Sequence, residues 1–101
     1  MKKVAFILTI VVGIAEFSVA SEQLSREKGC MACHDINRRK VGPSYTDIAK
    51  KYVGRADAVN YLVEKIKKGS VGVWGSVPMP PQNVSDAEAK QHAEWIISLI
   101  K

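Results

Sequence analysis

Three metal-binding side chains fall within five residues, in the run Cys30-Met31-Ala32-Cys33-His34. The run holds both cysteines of the chain and one of its two histidines. Two thiols at this spacing can close a disulfide, share a zinc ion, cycle as a redox dithiol, or add to the vinyl groups of a porphyrin. A structural zinc ion takes four ligands. The run supplies three, leaving only His92 or a carboxylate for the fourth. A thioredoxin-like dithiol belongs to a βαβ unit, and the chain carries no such pattern. A disulfide across so short a loop removes little entropy from the unfolded chain. Covalent haem accounts for the run best. Cys30 and Cys33 would form thioether bonds, one helical turn would set the sulfurs apart, and His34 would fall beneath the ring as the proximal ligand of iron. Met31 and Ala32 occupy the variable positions and carry no role.

The other side of such an iron decides what it does. An iron with one strong axial ligand binds gases or peroxide; one with two mostly passes electrons. Met79 lies in Val77-Pro78-Met79-Pro80-Pro81, where flanking prolines stiffen the backbone and fix where the thioether points. A methionine is more often a core filler. Here the irregular apolar loop around it has no partner of its own, and the ligand reading is preferred. His92 competes, but it sits mid-helix beside an apolar stripe and reads as a part-buried helix residue. The expected function is therefore one-electron transfer through His/Met-ligated haem. The alternative is a five-coordinate or switchable haem protein, a sensor or weak peroxidase, in which His92 would have to act as the distal base. No residue is placed for acid–base or nucleophilic chemistry, so an enzyme is not expected.

These residues need elements to position them. The chain has 101 residues. It opens on Met1-Lys2-Lys3, continues with an apolar run over residues 4–15, and reaches Phe17-Ser18-Val19-Ala20. That is the layout of a secretory signal peptide cleaved after Ala20. The run is too short to span a bilayer, which takes about 20 apolar residues. The mature part, residues 21–101, is then one small domain, and a domain of that size leans on a staple or cofactor.

A short helix is expected over residues 22–29, leading into the cysteine run. Residues 38–43 form a Gly/Pro loop. Residues 45–53 read as a helix, with Tyr45, Ile48, Ala49 and Tyr52 on one face and Gly54 as its stop. Residues 58–68 repeat the pattern with Ala58, Leu62 and Ile66, and Gly69 follows as the stop. Three glycines and three prolines break up residues 69–83. Ser85 and Glu88 make a capping box, and Ala89, His92, Trp95 or Ile96, and Leu99 mark the inner stripe of the last helix. The expected fold is all-α, about four short helices and loops wrapped around one covalent haem c.

The motifs carry a family resemblance across the whole mature domain. Gly29-Cys30-Met31-Ala32-Cys33-His34, Val41-Gly42-Pro43, Lys67-Lys68-Gly69, Gly72-Val73-Trp74-Gly75, Pro78-Met79-Pro80-Pro81 and Val84-Ser85-Asp86-Ala87 resemble the small class I cytochromes c of the bacterial c-551/c-552 type. The chain looks most like the c-552 proteins of thermophilic hydrogen-oxidising bacteria, which share Gln82-Asn83-Val84. The resemblance implies that the Pro43 carbonyl meets the second nitrogen of His34, and that Trp74 and Lys65 hold a haem propionate. It implies that Val41, Ile48, Tyr52, Leu62, Ile66 and Val77 wall the ring, and that Leu24 and Gly29 meet Trp95. Many relatives carry asparagine where this chain has Gln82, and there its amide contacts the methionine sulfur.

The mature part carries 13 basic and 9 acidic side chains once Lys2, Lys3 and Glu16 are removed. The charges do not form one block: Lys28, Arg38, Arg39, Lys40, Lys50, Lys51, Lys65, Lys67 and Lys68 are spread across several elements. Export and haem argue against nucleic acid. They favour a periplasmic monomer, not inserted in the membrane after cleavage, that meets redox proteins. A terminal oxidase, a nitrite reductase and a quinol-oxidising complex are the partners the family implies. An excess of positive charge would steer it toward acidic surfaces.

Overall fold

The computed structural model describes residues 21–100. The expected leader and its cleavage point after Ala20 lie outside the described residues. Residues 21–27 are helical (α1). A turn at Gly29, with φ +80°, redirects the chain into a 3-10 helix at Cys30–Ala32. Gly29 thus stands beyond α1, and a side chain there would meet nothing within 4 Å. Its glycine answers to the turn and not to packing on Trp95.

Helix α2 is Tyr45–Tyr52 and buries Tyr45, Ile48, Ala49 and Tyr52, the four positions of its apolar stripe. Ser44 caps its start by accepting the Asp47 amide at 3.0 Å, and Lys50 and Lys51 lie at its negative end. Helix α3, Ala58–Lys68, buries Ala58, Leu62 and Ile66 and ends at Gly69. Helix α4, Asp86–Ser98, begins with the expected box: Glu88 N–H donates to Ser85 Oγ at 3.1 Å, and Ser85 N–H to Glu88 Oε1 at 2.9 Å. Its buried face is wider than the expected stripe. Ala93 and Ile97 join Ala89, His92, Trp95 and Ile96, while Leu99 is only half-buried.

Helix α4 packs across both α2 and α3. Their stripes make one core, and each fully buried large side chain in it contributes about 1.5–3 kcal/mol. Lys67 and Asp86 form an ion pair between α3 and the first residue of α4. Among the described residues there is no strand, only an isolated antiparallel bridge between Ser70 and Met79. The fold is all-α as expected. The helices cover one side of a cavity, and the segments 28–44 and 69–83 frame the other.

Candidate haem-binding site

The cavity has a volume of about 610 Å³, within the range of about 300–1,000 Å³ that suits a cofactor. Cys30, Cys33, His34 and Met79 all line it. So do Val41, Pro43, Ile48, Tyr52, Leu62, Lys65, Ile66, Trp74, Val77 and Gln82. Every residue singled out as ligand or pocket wall thus comes to one place, from three helices and two loops.

The His34 side is built on the 3-10 turn. Cys33 and His34 N–H groups both donate to the Cys30 carbonyl, at 3.1 and 3.0 Å. The two thiols are free, Cys33 exposed and Cys30 partly buried. Burial pushes the Cys30 thiol above its usual range, against hydrogen bonds from Ser25 and Tyr45. His34 is buried, and its Nδ1 is 2.7 Å from the Pro43 carbonyl oxygen. A carbonyl only accepts, so Nδ1 carries the proton and Nε2 is the free lone pair. Burial lowers the His34 pKa, so the neutral form a metal needs is favoured. The Tyr45 ring stacks on the imidazole at 5.1 Å and 21°.

The Met79 side is a loop pinned by its backbone. Ser70 N–H donates to Met79 O at 2.9 Å and Met79 N–H to Ser70 O at 2.8 Å. Gln82 N–H donates to the Ile66 carbonyl at 2.9 Å and ties the loop to α3. The Gln82 side-chain amide donates to Pro80 O at 2.7 Å. Its extra methylene lets that amide fold back on the loop's own backbone. Arg39 links the two frames, its guanidinium donating to Trp74 O at 3.1 Å.

Beside Trp74 the wall turns cationic and aromatic. Arg55 lies 4.1 Å from the Tyr61 ring centroid, Lys65 5.2 Å from the same ring, and Lys51 5.1 Å from Trp74. Such pairs are favourable over ring faces. Burial pushes the Tyr52 hydroxyl pKa up to about 12.

Among the cavity residues outside the sequence-based site are Gly42, Tyr45 and His92. Gly42 lies against the His34 ring, Tyr45 reads from the sequence only as core, and His92 as a part-buried helix residue and a weak rival to Met79. His92 is in fact only 5% exposed and lines the cavity. Its Nδ1 is buried without a hydrogen-bond partner. It is held edge-on to Tyr45 and stacked on Trp95. Burial, with His34 nearby, drops its pKa to about 4.

The donor set suits a covalent porphyrin. Two free thiols and an imidazole with its outer nitrogen already satisfied stand on one turn, above an apolar cavity. Val41 and Val77, at its rim, are 52% and 63% exposed, apolar surface that a planar apolar group would cover. Together the fold and the site define a small helical protein built to enclose a c-type haem. The Cytochrome c family profile matches residues 18–99. The chain is 67% identical to cytochrome c-552 of Hydrogenobacter thermophilus, over 98% of this chain and 99% of that one. It is 52% identical to cytochrome c-551 of Pseudomonas aeruginosa, over 76% and 74% of the two chains. The crystal structure of Nitrosomonas europaea cytochrome c552 superposes with a TM-score of 0.75 at 52% identity, covering 77% of this chain and 98% of that one. The chain belongs to the cytochrome c family, and its close relatives are cytochromes c, electron carriers with covalent haem c rather than enzymes.

Proposed function

We propose that this chain is a periplasmic monohaem electron carrier in which Cys30 and Cys33 hold the haem covalently and His34 and Met79 ligate its iron. The observation that carries the reading is the convergence of the cysteine turn and the methionine loop on one apolar cavity. When bound, haem c supplies a one-electron couple at iron. The chain's own residues do the rest. The Pro43 carbonyl keeps the proton on His34 Nδ1 and raises the basicity of the ligand. The Ser70–Met79 bridge holds the thioether's backbone in place, and its flanking prolines stiffen it further. Ile48, Leu62 and Ile66 exclude water on the helical side, with Val41, Tyr52 and Val77 completing the wall. Trp74 and Lys65 take a propionate, beside the cationic cluster.

The leader of residues 1–20 exports the chain and is cleaved after Ala20. Among the described residues no helix is long and apolar enough to cross a membrane. The partners are redox proteins of respiration: a quinol-oxidising complex as donor, and a terminal oxidase or nitrite reductase as acceptor. The basic surface favours acidic docking faces and salt-dependent encounter.

The test is an absorption spectrum of the oxidised, periplasmically expressed protein. The weak long-wavelength charge-transfer band of iron–thioether ligation should be present, and lost in Met79→Ala. A ferric protein without the band that binds carbon monoxide readily when reduced would be an open site, a sensor or weak peroxidase.

A further inference from the structure

We propose that Gly42 and Tyr45 form a slot that fixes the plane of the His34 imidazole and thereby the electronic orientation of the haem iron. This rests on His34 being the proximal ligand. Three contacts define the slot. The Pro43 carbonyl holds Nδ1 at 2.7 Å. Tyr45 lies nearly parallel to the imidazole, 5.1 Å away. At Gly42 a Cβ would come 2.7 Å from His34 Cε1, 3.1 Å from Nδ1 and 3.3 Å from Nε2. A separation of 2.7 Å from a ring carbon cannot be borne without movement. The ring could not yield freely, being stacked on one side and hydrogen-bonded at its edge. Glycine is needed here for close approach rather than for an unusual φ.

The slot is registered to the histidine's own backbone. Gly42 N–H donates to the Cys33 carbonyl at 2.8 Å and Tyr45 N–H to the Asp35 carbonyl at 3.0 Å. These are the carbonyls on either side of His34. Tyr45 is itself immobilised, 1% exposed, with its hydroxyl 2.7 Å from Ser25 Oγ. Helix α1 therefore braces the wall that braces the ring. A hydrogen bond at Nδ1 alone leaves the ring able to swing about the N–H···O direction. The two walls remove that freedom, as outer partners do for other metal-bound histidines.

In a ferric haem the orientations of both axial ligands, the imidazole plane and the thioether, decide how unpaired spin is shared among the four pyrroles. With the Met79 loop unaltered, changes in the four haem-methyl proton resonances of the oxidised protein read the imidazole's direction. The experiment compares wild type, Gly42→Ala, Tyr45→Leu, Tyr45→Phe and the remote control Gly54→Ala as holoproteins. A side chain at Gly54 would meet nothing within 4 Å. Gly42→Ala and Tyr45→Leu should change the order or spread of the methyl shifts. Tyr45→Phe keeps the wall and loses only the hydroxyl, so it should unfold at lower temperature with the wild-type methyl order. A wild-type pattern in both Gly42→Ala and Tyr45→Leu overturns the proposal, as does a change in Tyr45→Phe as large as in Tyr45→Leu. If Gly42→Ala does not accumulate, the two Tyr45 variants decide alone. Loss of ligation by His34 is a separate result: the reduced wild type would then lack the imidazole protons that a porphyrin ring current shifts upfield.

Discussion

A methyl group on Gly69 would come 2.6 Å from the carbonyl oxygen of Met79. Gly69 also adopts φ +87° and ψ 177°, a backbone region essentially closed to other residues and costing about 1–3 kcal/mol. The glycine that ends α3 is thus also the one that lets the methionine loop close on it. Gly72 has φ +80° in the same loop, but a side chain there would meet nothing within 4 Å. Gly69→Ala should weaken the charge-transfer band of the ferric protein and raise its affinity for added imidazole by about tenfold or more, a change of about 1.4 kcal/mol. Gly72→Ala should lose some stability yet keep the band and the affinity. Equal affinities in the two variants would mean that strain alone, and not the approach to Met79, matters at Gly69.

A second expectation concerns the brace between α1 and α2. The Ser25 and Tyr45 oxygens are 2.7 Å apart and both residues are buried. Ser25→Ala leaves the phenol hydroxyl only the Cys30 sulfur, a weak partner, and a buried hydroxyl that loses its good partner costs about 1–3 kcal/mol. Urea unfolding of the holoprotein should show a lower midpoint with an unchanged slope. A midpoint equal to wild type would mean that water reaches the hydroxyl and replaces the serine.

The capping box carries a third. Ser85 and Glu88 satisfy each other's amides at the start of α4, the helix that packs on both α2 and α3. Ser85→Ala should cost about 1 kcal/mol in thermal or urea unfolding, with the absorption spectrum unchanged. A spectral change would show that α4 also sets the geometry at the iron.

What was legible in the sequence followed from strong local signals. The stripe of Tyr45, Ile48, Ala49 and Tyr52, the stop at Gly69 and the Ser85–Glu88 box each have a short-range cause, and each appears where its pattern placed it. The wall residues were legible because the motifs around Cys30 and Met79 match a known family. What escaped depends on distance in space. Tyr45 lies on the apolar face of α2, and nothing in its spacing says that one ring face meets an imidazole 11 positions earlier. Gly42 stands next to a proline, where a glycine reads as loop punctuation. Histidine is seldom fully buried, so from the sequence His92 reads as a part-buried helix residue. The breadth of the buried face of α4, set by packing on two helices at once, encloses it.

That enclosure leads to the last prediction. His92 keeps Nδ1 buried and unpartnered, and its pKa falls to about 4 in the folded chain from an ordinary value of 6.5. A depressed histidine pKa means that the folded state resists a proton the unfolded state accepts. Stability is therefore complete above the unfolded value and falls as pH drops through about 6.5 toward about 4, below which this loss is constant. The gap corresponds to about 3 kcal/mol at 1.36 kcal/mol per unit. His92→Leu removes the proton site and puts an apolar side chain against Tyr45, Trp95 and the cavity. Urea unfolding of wild type and His92→Leu holoproteins at about pH 7 and about pH 4 isolates the effect, because the carboxylates common to both cancel in the difference. The variant should gain on wild type by about 2–3 kcal/mol between the two pH values. A constant difference would mean that His92 takes up its proton in the folded chain as readily as in the unfolded one, finding a charged partner when the acid-exposed fold relaxes.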